Sequence, residues 1–146
     1  MKRLFFDAAY IGKLHWIEHG SPEVQTLAGT ADQIVCSQHG RAEFYSIGFR
    51  KVRENLVPPA ILKAVFAQFN ADISQSAILL LPLSGAILDR VEVAFASAPT
   101  PTYLRAADAI HLATAAEHGF TEIYSNDKHL LAAAPLFGLL GVNVIP

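Results

Sequence analysis

The sequence contains little cysteine, little charge and no long apolar run. Its 146 residues include a single cysteine, Cys36, so no intramolecular disulfide can form, and the strand-like residues around it predict a buried thiol. Only 16% of the residues are charged, whereas 52% are hydrophobic. The longest apolar stretch, residues 77–88, is interrupted by a proline and a glycine and is too short to cross a bilayer. The composition therefore predicts one well-packed domain over residues 1–146 and no membrane segment.

Neither the start of the chain nor its net charge points to export or to a basic nucleic-acid binder. Three apolar residues after Arg3 are followed at once by Asp7, whereas a secretory signal needs about 7–15 apolar residues. We therefore expect a cytoplasmic protein. The net charge of −2 excludes tight nucleic-acid binding by bulk charge. A nucleic-acid substrate remains compatible with it, because bound divalent cations would reverse the local potential.

Strand-like and helix-like segments alternate along the chain. The predicted strands span residues 4–7, 33–37, 77–81, 121–124 and 142–145. The predicted helices span residues 8–19, 21–31, 40–55, 58–69, 84–96, 103–118 and 127–134. Short strands rich in Ile, Val, Leu and Phe between helices are typical of a parallel sheet covered on both faces. We predict an α/β fold with a central parallel sheet of about five strands.

Four acidic residues lie at or beside the ends of apolar segments, namely Asp7, Glu43, Asp108 and Asp127. Asp7 and Asp127 follow strands, and sites in parallel sheets form beyond the carboxyl ends of the strands. Glu43 lies in the helix after the second strand, and Asp108 lies early in the helix before the fourth. Carboxylates in apolar surroundings are costly to ionise unless a cation holds them. A shared pair of divalent cations would explain all four.

Each acid also has a simpler interpretation when it is taken alone. Asp7 and Asp127 are suited to cap the helices that follow them. Glu43 could form a surface ion pair with Arg41 or Arg50. Asp108 is the hardest to explain in this way, because alanines and an isoleucine surround it.

Four segments resemble the PIN-domain ribonucleases, most closely the toxins of VapB/VapC-type toxin–antitoxin pairs. They are Leu4–Asp7 leading into a helix, Ser37–Phe44, Leu104–Ala115 and Ile123–Leu130, which occur in the family's order and cover essentially the whole chain. The resemblance implies a three-layer α/β/α fold with an acidic site at the carboxyl ends of the strands. It also implies a metal-dependent endoribonuclease that acts as a toxin on RNA, is held inactive by a cognate antitoxin and forms a homodimer.

The resemblance also implies roles for individual residues. Asp7, Glu43, Asp108 and Asp127 would be the catalytic acids that bind Mg²⁺ or Mn²⁺, and Ser125 would hydrogen-bond behind them. The charge of the metals would activate a water and stabilise the reacting phosphodiester. The sequence does not separate a metal ligand from a base among the acids. Lys13 and Arg105 are candidate RNA contacts, whereas Arg50, Lys51 and Arg53 are expected to form a solvated helix face.

One departure from the family leaves an alternative open. The family usually has Thr or Ser within two residues after the first aspartate, but this chain has Ala8 and Ala9. A lost hydroxyl of this kind typically lowers affinity or activity by about 10–100-fold. The alternative is therefore a catalytically silent PIN-like module that binds a partner or RNA.

Two further classes fit the residues less well. A haloacid-dehalogenase-type phosphatase expects a second aspartate two residues after the first, where Ala9 stands. A P-loop nucleotide enzyme is excluded because no Gly-rich turn precedes Lys-Ser or Lys-Thr. Zinc sites need convergent His or Cys ligands, and His15 and His19, which are four residues apart, are expected to be surface or helix-end residues. We therefore expect His111 to be a packed, hydrogen-bonded residue near the site.

Overall fold

Five short strands and seven helices alternate along the chain, all of whose residues, 1–146, are described by this computed structural model. The strands are β1 Arg3–Phe5, β2 Gln33–Ser37, β3 Ile78–Leu81, β4 Glu122–Tyr124 and β5 Leu140–Val142. The helices are α1 Ala8–His15, α2 Ser21–Ala28, α3 His39–Arg53, α4 Pro59–Ser74, α5 Gly85–Ser97, α6 Ala106–Glu117 and α7 Lys128–Ala133. A 3₁₀ turn, Ala134–Phe137, follows α7. None of the helices is long and apolar enough to span a membrane.

The strands are all parallel, which confirms the predicted α/β class with a parallel sheet. β2 lies between β1 and β3 in a three-stranded sheet, and β4 pairs with β5 in a two-stranded one. A single parallel bridge between Phe6 and Tyr124 joins the two sheets. The prediction of one continuous five-stranded sheet is therefore met in strand number only. Beside this bridge, the Asp7 backbone N–H donates to the Tyr124 carbonyl oxygen at 3.1 Å.

Two hydrophobic clusters lie on opposite faces of the strands, since successive strand side chains point to opposite sides. Phe6 and Ile34 belong to the cluster packed by helices α1 to α4. Phe5 and Val35 belong to the other cluster, which is packed by α6 and α7. The buried strands therefore fix where the helices lie and bring the ends of β1 and β4 side by side.

Most predicted elements form, but several boundaries differ. Helix α1 ends at His15 rather than residue 19, because Trp16 is already extended. Gly20 has a φ of +88°, and a Cβ there would lie 2.6 Å from the Ile145 side chain. Only glycine fits this turn between α1 and α2. Ser21 is the first residue of α2, and Gly20 occupies the N-cap position.

The later boundaries differ for tertiary reasons. Helix α6 begins at Ala106 rather than residue 103, since Arg105 is extended and forms the N-cap position. Strand β5 lies at Leu140–Val142 rather than at residues 142–145, because its register places Leu140 opposite Glu122. At its centre, a Cβ on Gly141 would lie 2.9 Å from the Leu131 backbone. This close approach of α7 to β5 is not visible in a hydrophobic pattern.

Candidate active site

Asp7 begins helix α1 directly after the strand that contains Phe6. Its Oδ1 accepts a hydrogen bond from the Tyr10 backbone N–H at 3.0 Å, so the aspartate is the N-cap of α1. Its Oδ2 accepts a hydrogen bond from the Ser125 hydroxyl. The residue is only 5% exposed. Burial raises the pKa of Asp7 to about 6, although the Ser125 hydrogen bond and the charge of His111 lower it.

Asp127 follows β4 and caps α7 in the same manner. Its Oδ1 accepts hydrogen bonds from the backbone N–H groups of His129 and Leu130, at 2.8 and 3.2 Å. The Asp127 backbone N–H in turn donates to Ser125 Oγ at 2.9 Å. Ser125 therefore connects Asp7, at the end of one sheet, with Asp127, at the end of the other. Both aspartates are helix caps, as their positions in the sequence indicate.

Asp108 lies in the first turn of α6 and is 8% exposed. Its Oδ2 lies 3.4 Å from Arg105 Nε, and Arg105 Nη2 lies 3.7 Å from Asp127 Oδ2. The guanidinium therefore faces two of the four acids. Burial and the charge of Asp127 raise the pKa of Asp108, and the nearby Arg105 only partly offsets them. Asp108 and Asp127 are thus electrostatic neighbours.

Glu43, in the second turn of α3, contacts two histidines rather than Arg41 or Arg50. His111 Nε2 donates to Glu43 Oε1 at 2.6 Å, and His39 Nε2 lies 3.4 Å from the same oxygen. Burial would raise the pKa of Glu43, but the His111 hydrogen bond and the charges of both histidines hold it below its usual value. Burial disfavours protonation of His111, yet the neighbouring Cys36 and the hydrogen bond to Glu43 raise its pKa to about 10. Glu43 and His111 therefore form an ion pair in which the imidazole is buried and the carboxylate is partly exposed.

The four predicted acids lie in one neighbourhood without forming one tight cluster. Ser125 links Asp7 to Asp127, Arg105 links Asp127 to Asp108, and the charge of His111 acts on Asp7, Asp108 and Glu43. The only group of three or more His, Cys, Asp or Glu residues whose ligand atoms all lie within 4.8 Å of one another is His39, Glu43 and His111. Glu43 contacts the two imidazoles, Asp7 and Asp127 each bind the N-terminus of the helix that they cap, and Asp108 lies beside Arg105.

The sequence of the chain matches the model of a known protein family. The family model of the PIN domain matches residues 8–135, which is most of the chain. The chain belongs to the PIN domain family. Among curated proteins, no sequence matches this one significantly.

A solved structure has the same fold as this PIN domain. It is the crystal structure of VapC20 from Mycobacterium tuberculosis, described as a toxin that cleaves the sarcin–ricin loop. The TM-score is 0.68 at 15% sequence identity, and the match covers 89% of this chain and 94% of VapC20. The predicted PIN-like α/β architecture is therefore confirmed.

The donor set of the PIN domain fits a hard divalent cation. Asp7, Glu43, Asp108 and Asp127 supply only carboxylate oxygens, which are the ligands that Mg²⁺ and Mn²⁺ prefer. The raised pKa values of Asp7 and Asp108 show that their ionised forms lack full compensation from the protein. A cation beside these two carboxylates would supply that compensation.

The two histidines that contact Glu43, His39 and His111, make more contacts in the site than the sequence predicts. His111 is placed as predicted, buried and hydrogen-bonded near the acids. Its hydrogen-bond partner is Glu43, at 2.6 Å, and not Asp108, which lies three residues earlier in the same helix. His39 also donates to the Ala107 carbonyl oxygen at 3.0 Å, which ties the start of α3 to α6. The spacing of four residues between His39 and Glu43 was the only sequence signal for this contact.

Lys13 and Arg105, the predicted RNA contacts, lie in different surroundings. Arg105 faces the acids directly and is largely exposed. Lys13 Nζ instead donates to the His19 carbonyl oxygen at 2.7 Å and lies 3.3 Å from Glu18 Oε1. Arg105 therefore lies at the acids, whereas Lys13 belongs to a neighbouring pocket.

Proposed function

We propose that this PIN domain is a divalent-metal-dependent endoribonuclease, the toxin of a toxin–antitoxin pair. The observation that carries the proposal is the placement of Asp7, Glu43, Asp108 and Asp127 in one neighbourhood beside the carboxyl ends of β1 and β4. We assign these four residues as the catalytic, metal-binding acids, with Mg²⁺ or Mn²⁺ as the metal. Such a metal would activate a water and stabilise negative charge on the phosphodiester.

The protein's own groups would prepare this chemistry. Ser125 fixes the orientation of Asp7 through its hydroxyl and of Asp127 through its backbone. The hydrogen bond and the positive charge of His111 lower the pKa of Glu43, so that this carboxylate stays ionised. Arg105 is exposed beside Asp108 and Asp127, where it could turn from the acids to an RNA phosphate.

The proposed architecture is a single PIN domain over residues 1–146, with three α/β/α layers and the acidic site at the strand ends. The two hydrophobic clusters on opposite faces of the strands support it. We place the protein in the cytoplasm, where its RNA substrates would be.

We also propose a homodimer and a cognate antitoxin as partners. Apolar side chains that are well exposed support such contacts, among them Val93, Phe95 and Leu88 on α5. Size-exclusion chromatography with light scattering would test the dimer. Co-purification with the product of an adjacent gene that encodes a small DNA-binding protein would test the antitoxin.

Cleavage of RNA by the purified, partner-free protein tests the proposed activity. The labelled RNA pool should contain tRNA, mRNA fragments and the sarcin–ricin loop hairpin, which is the RNA named for VapC20. We expect cleavage with Mg²⁺ or Mn²⁺, none with EDTA, and none from Asp108→Asn. Asp89→Asn, an exposed aspartate on α5, is the matched control and should retain activity.

The catalytically silent module is the second candidate, because Ala8 and Ala9 lack the usual hydroxyl. Two protein cations, Arg105 and His111, also already face the acids. Folded protein that cleaves no RNA with any metal and binds no Mn²⁺ by calorimetry would favour this candidate. Cleavage at equal rates by Asp108→Asn and the unchanged protein would show that the activity resides elsewhere.

A further inference from the structure

A pocket of ≈ 270 Å³ opens beside the proposed active site. Two of its lining residues belong to the segments that carry the acids, since Ala9 is two residues after Asp7 and Asn126 immediately precedes Asp127. Its charged lining comes from α1, α3 and the loop after α1, and consists of Lys13, Glu18, Arg50 and Lys51. The acidic site and this basic pocket are therefore adjoining parts of one surface.

The two lysines of the pocket are held in place. Lys51 Nζ donates to Glu18 Oε2 at 2.6 Å and lies 5.3 Å from the centre of the Trp16 ring. Lys13 is fixed by Glu18 Oε1 and the His19 carbonyl oxygen. The side chains of Lys13 and Lys51 are only 11% and 16% exposed. Because their rotamers are already restricted, an anion that bound them would order little additional side chain.

The charge in the pocket is positive overall. Three cations, Lys13, Arg50 and Lys51, face a single carboxylate, Glu18. Burial would raise the pKa of Glu18, but Lys51 and Lys13 hold it below its usual value, so the carboxylate is ionised at neutral pH. One carboxylate compensates one cation, and the excess positive charge remains available to a second anion. Of these cations, Lys13 was a predicted RNA contact, whereas Arg50 and Lys51 were expected on a solvated helix face.

We propose that this pocket binds a backbone phosphate of the RNA strand, next to the phosphodiester that the acids cleave. The proposal rests on the proposed ribonuclease function. When the reacting phosphate of an RNA strand lies at the acids, the neighbouring phosphates of that RNA lie along the adjoining protein surface. The pocket is the part of that surface with excess positive charge. Phosphate binding here would offset the repulsion between RNA and an acidic site in a protein of net charge −2.

The test is RNA binding under conditions that prevent cleavage. The probe is a short, fluorescently labelled single-stranded RNA of mixed sequence, and its anisotropy is measured with the full-length Asp108→Asn protein in EDTA over a range of KCl concentrations. In this background, Lys51→Gln and Lys13→Gln should each weaken binding by roughly threefold to tenfold. Each should also lower the slope of log affinity against log salt by about 0.7, the value for one contact with single-stranded nucleic acid. Lys63→Gln, an exposed lysine on α4, is the matched control and should leave both quantities unchanged.

Glu18→Gln separates phosphate binding from a merely structural role. Removing the competing carboxylate should tighten RNA binding if the lysines contact phosphate. If Glu18 and the lysines only stabilise the fold, Glu18→Gln should instead weaken RNA binding, as Lys51→Gln does, and both variants should lower the melting temperature. That result, or RNA affinities and salt slopes equal to those of Lys63→Gln, would overturn the proposal.

The same measurements distinguish failure of the pocket from failure of the nuclease. If the unchanged protein cleaves RNA, but Lys13→Gln and Lys51→Gln bind the labelled RNA as tightly as Lys63→Gln does, the pocket proposal is wrong and the proposed nuclease function is retained. If the unchanged protein never cleaves but both variants lose affinity and salt dependence, the pocket binds RNA in a silent module.

Discussion

Replacing Gly40 by alanine should destabilise the protein, because this glycine allows α3 to approach the residues behind the active site. A Cβ at Gly40 would lie 2.5 Å from Cys36 Sγ and 3.2 Å from His111 Cε1. Both neighbours are 1% exposed, so neither can move aside into solvent. The first distance is far inside the optimal separation of about 3.5–4.0 Å between non-bonded heavy atoms.

The magnitude follows from two opposing effects. Overpacking a buried site costs about 1–3 kcal/mol, and the short contact with sulfur places Gly40→Ala near the upper end of that range. The better helix propensity of alanine returns less than about 1 kcal/mol, because Gly40 lies in the first turn of α3. We expect a net loss of about 2 kcal/mol in the free energy of unfolding. For a protein of this size, that lowers the melting temperature by about 4–8 °C.

Gly12→Ala is the matched control. Gly12 lies inside α1, and a Cβ there would meet nothing within 4 Å. The same chemical change should therefore stabilise the protein by about 0.5–1 kcal/mol. Thermal unfolding followed by circular dichroism, with urea unfolding for the free energies, compares the two variants. If the melting temperature of Gly40→Ala is equal to or higher than that of the unchanged protein, α3 is not tightly packed against Cys36 and His111.

Two further predictions concern buried groups of the site. Ser125→Ala should lower stability by about 1–3 kcal/mol in urea unfolding, because a buried oxygen of Asp7 loses its donor. It should also weaken Mn²⁺ binding, measured by calorimetry, about 10–100-fold. An unchanged free energy of unfolding together with an unchanged Mn²⁺ affinity would show that the hydroxyl does not orient the aspartate. Burial raises the pKa of the Cys36 thiol, so a thiol reagent at neutral pH should label Cys36 only after denaturation. Rapid labelling of the folded protein would contradict its burial.

The features that sequence reasoning predicted are those determined by neighbouring residues. Strand β2 has the predicted bounds, Gln33–Ser37, because a short apolar run lies between polar residues. Asp7 and Asp127 were placed correctly at strand ends, since an aspartate before a helix bonds to backbone N–H groups only two or three residues away. Such contacts require no knowledge of the tertiary fold.

The features that were missed depend on residues far apart in the chain. The bond between Glu43 and His111 joins positions 68 residues apart, and neither residue type specifies the other. The pattern of apolar residues favoured a strand at residues 142–145, but pairing with β4 and the close contact of Gly141 with α7 placed β5 earlier. In both cases packing between distant segments decided the outcome, and a single sequence does not reveal it.

The single bridge between Phe6 and Tyr124 has a consequence for protein synthesis. Everything on the β1 side of that bridge, including Asp7 and Glu43, leaves the ribosome before Asp108, Ser125 and Asp127 do. The three-stranded sheet can therefore form on a nascent chain while its acidic groups are still incomplete, because chains fold from the N-terminal part first. A nascent chain that lacks residues 106–146 therefore lacks Asp108, Ser125 and Asp127, and the proposed activity requires these residues to dock beside Asp7 and Glu43.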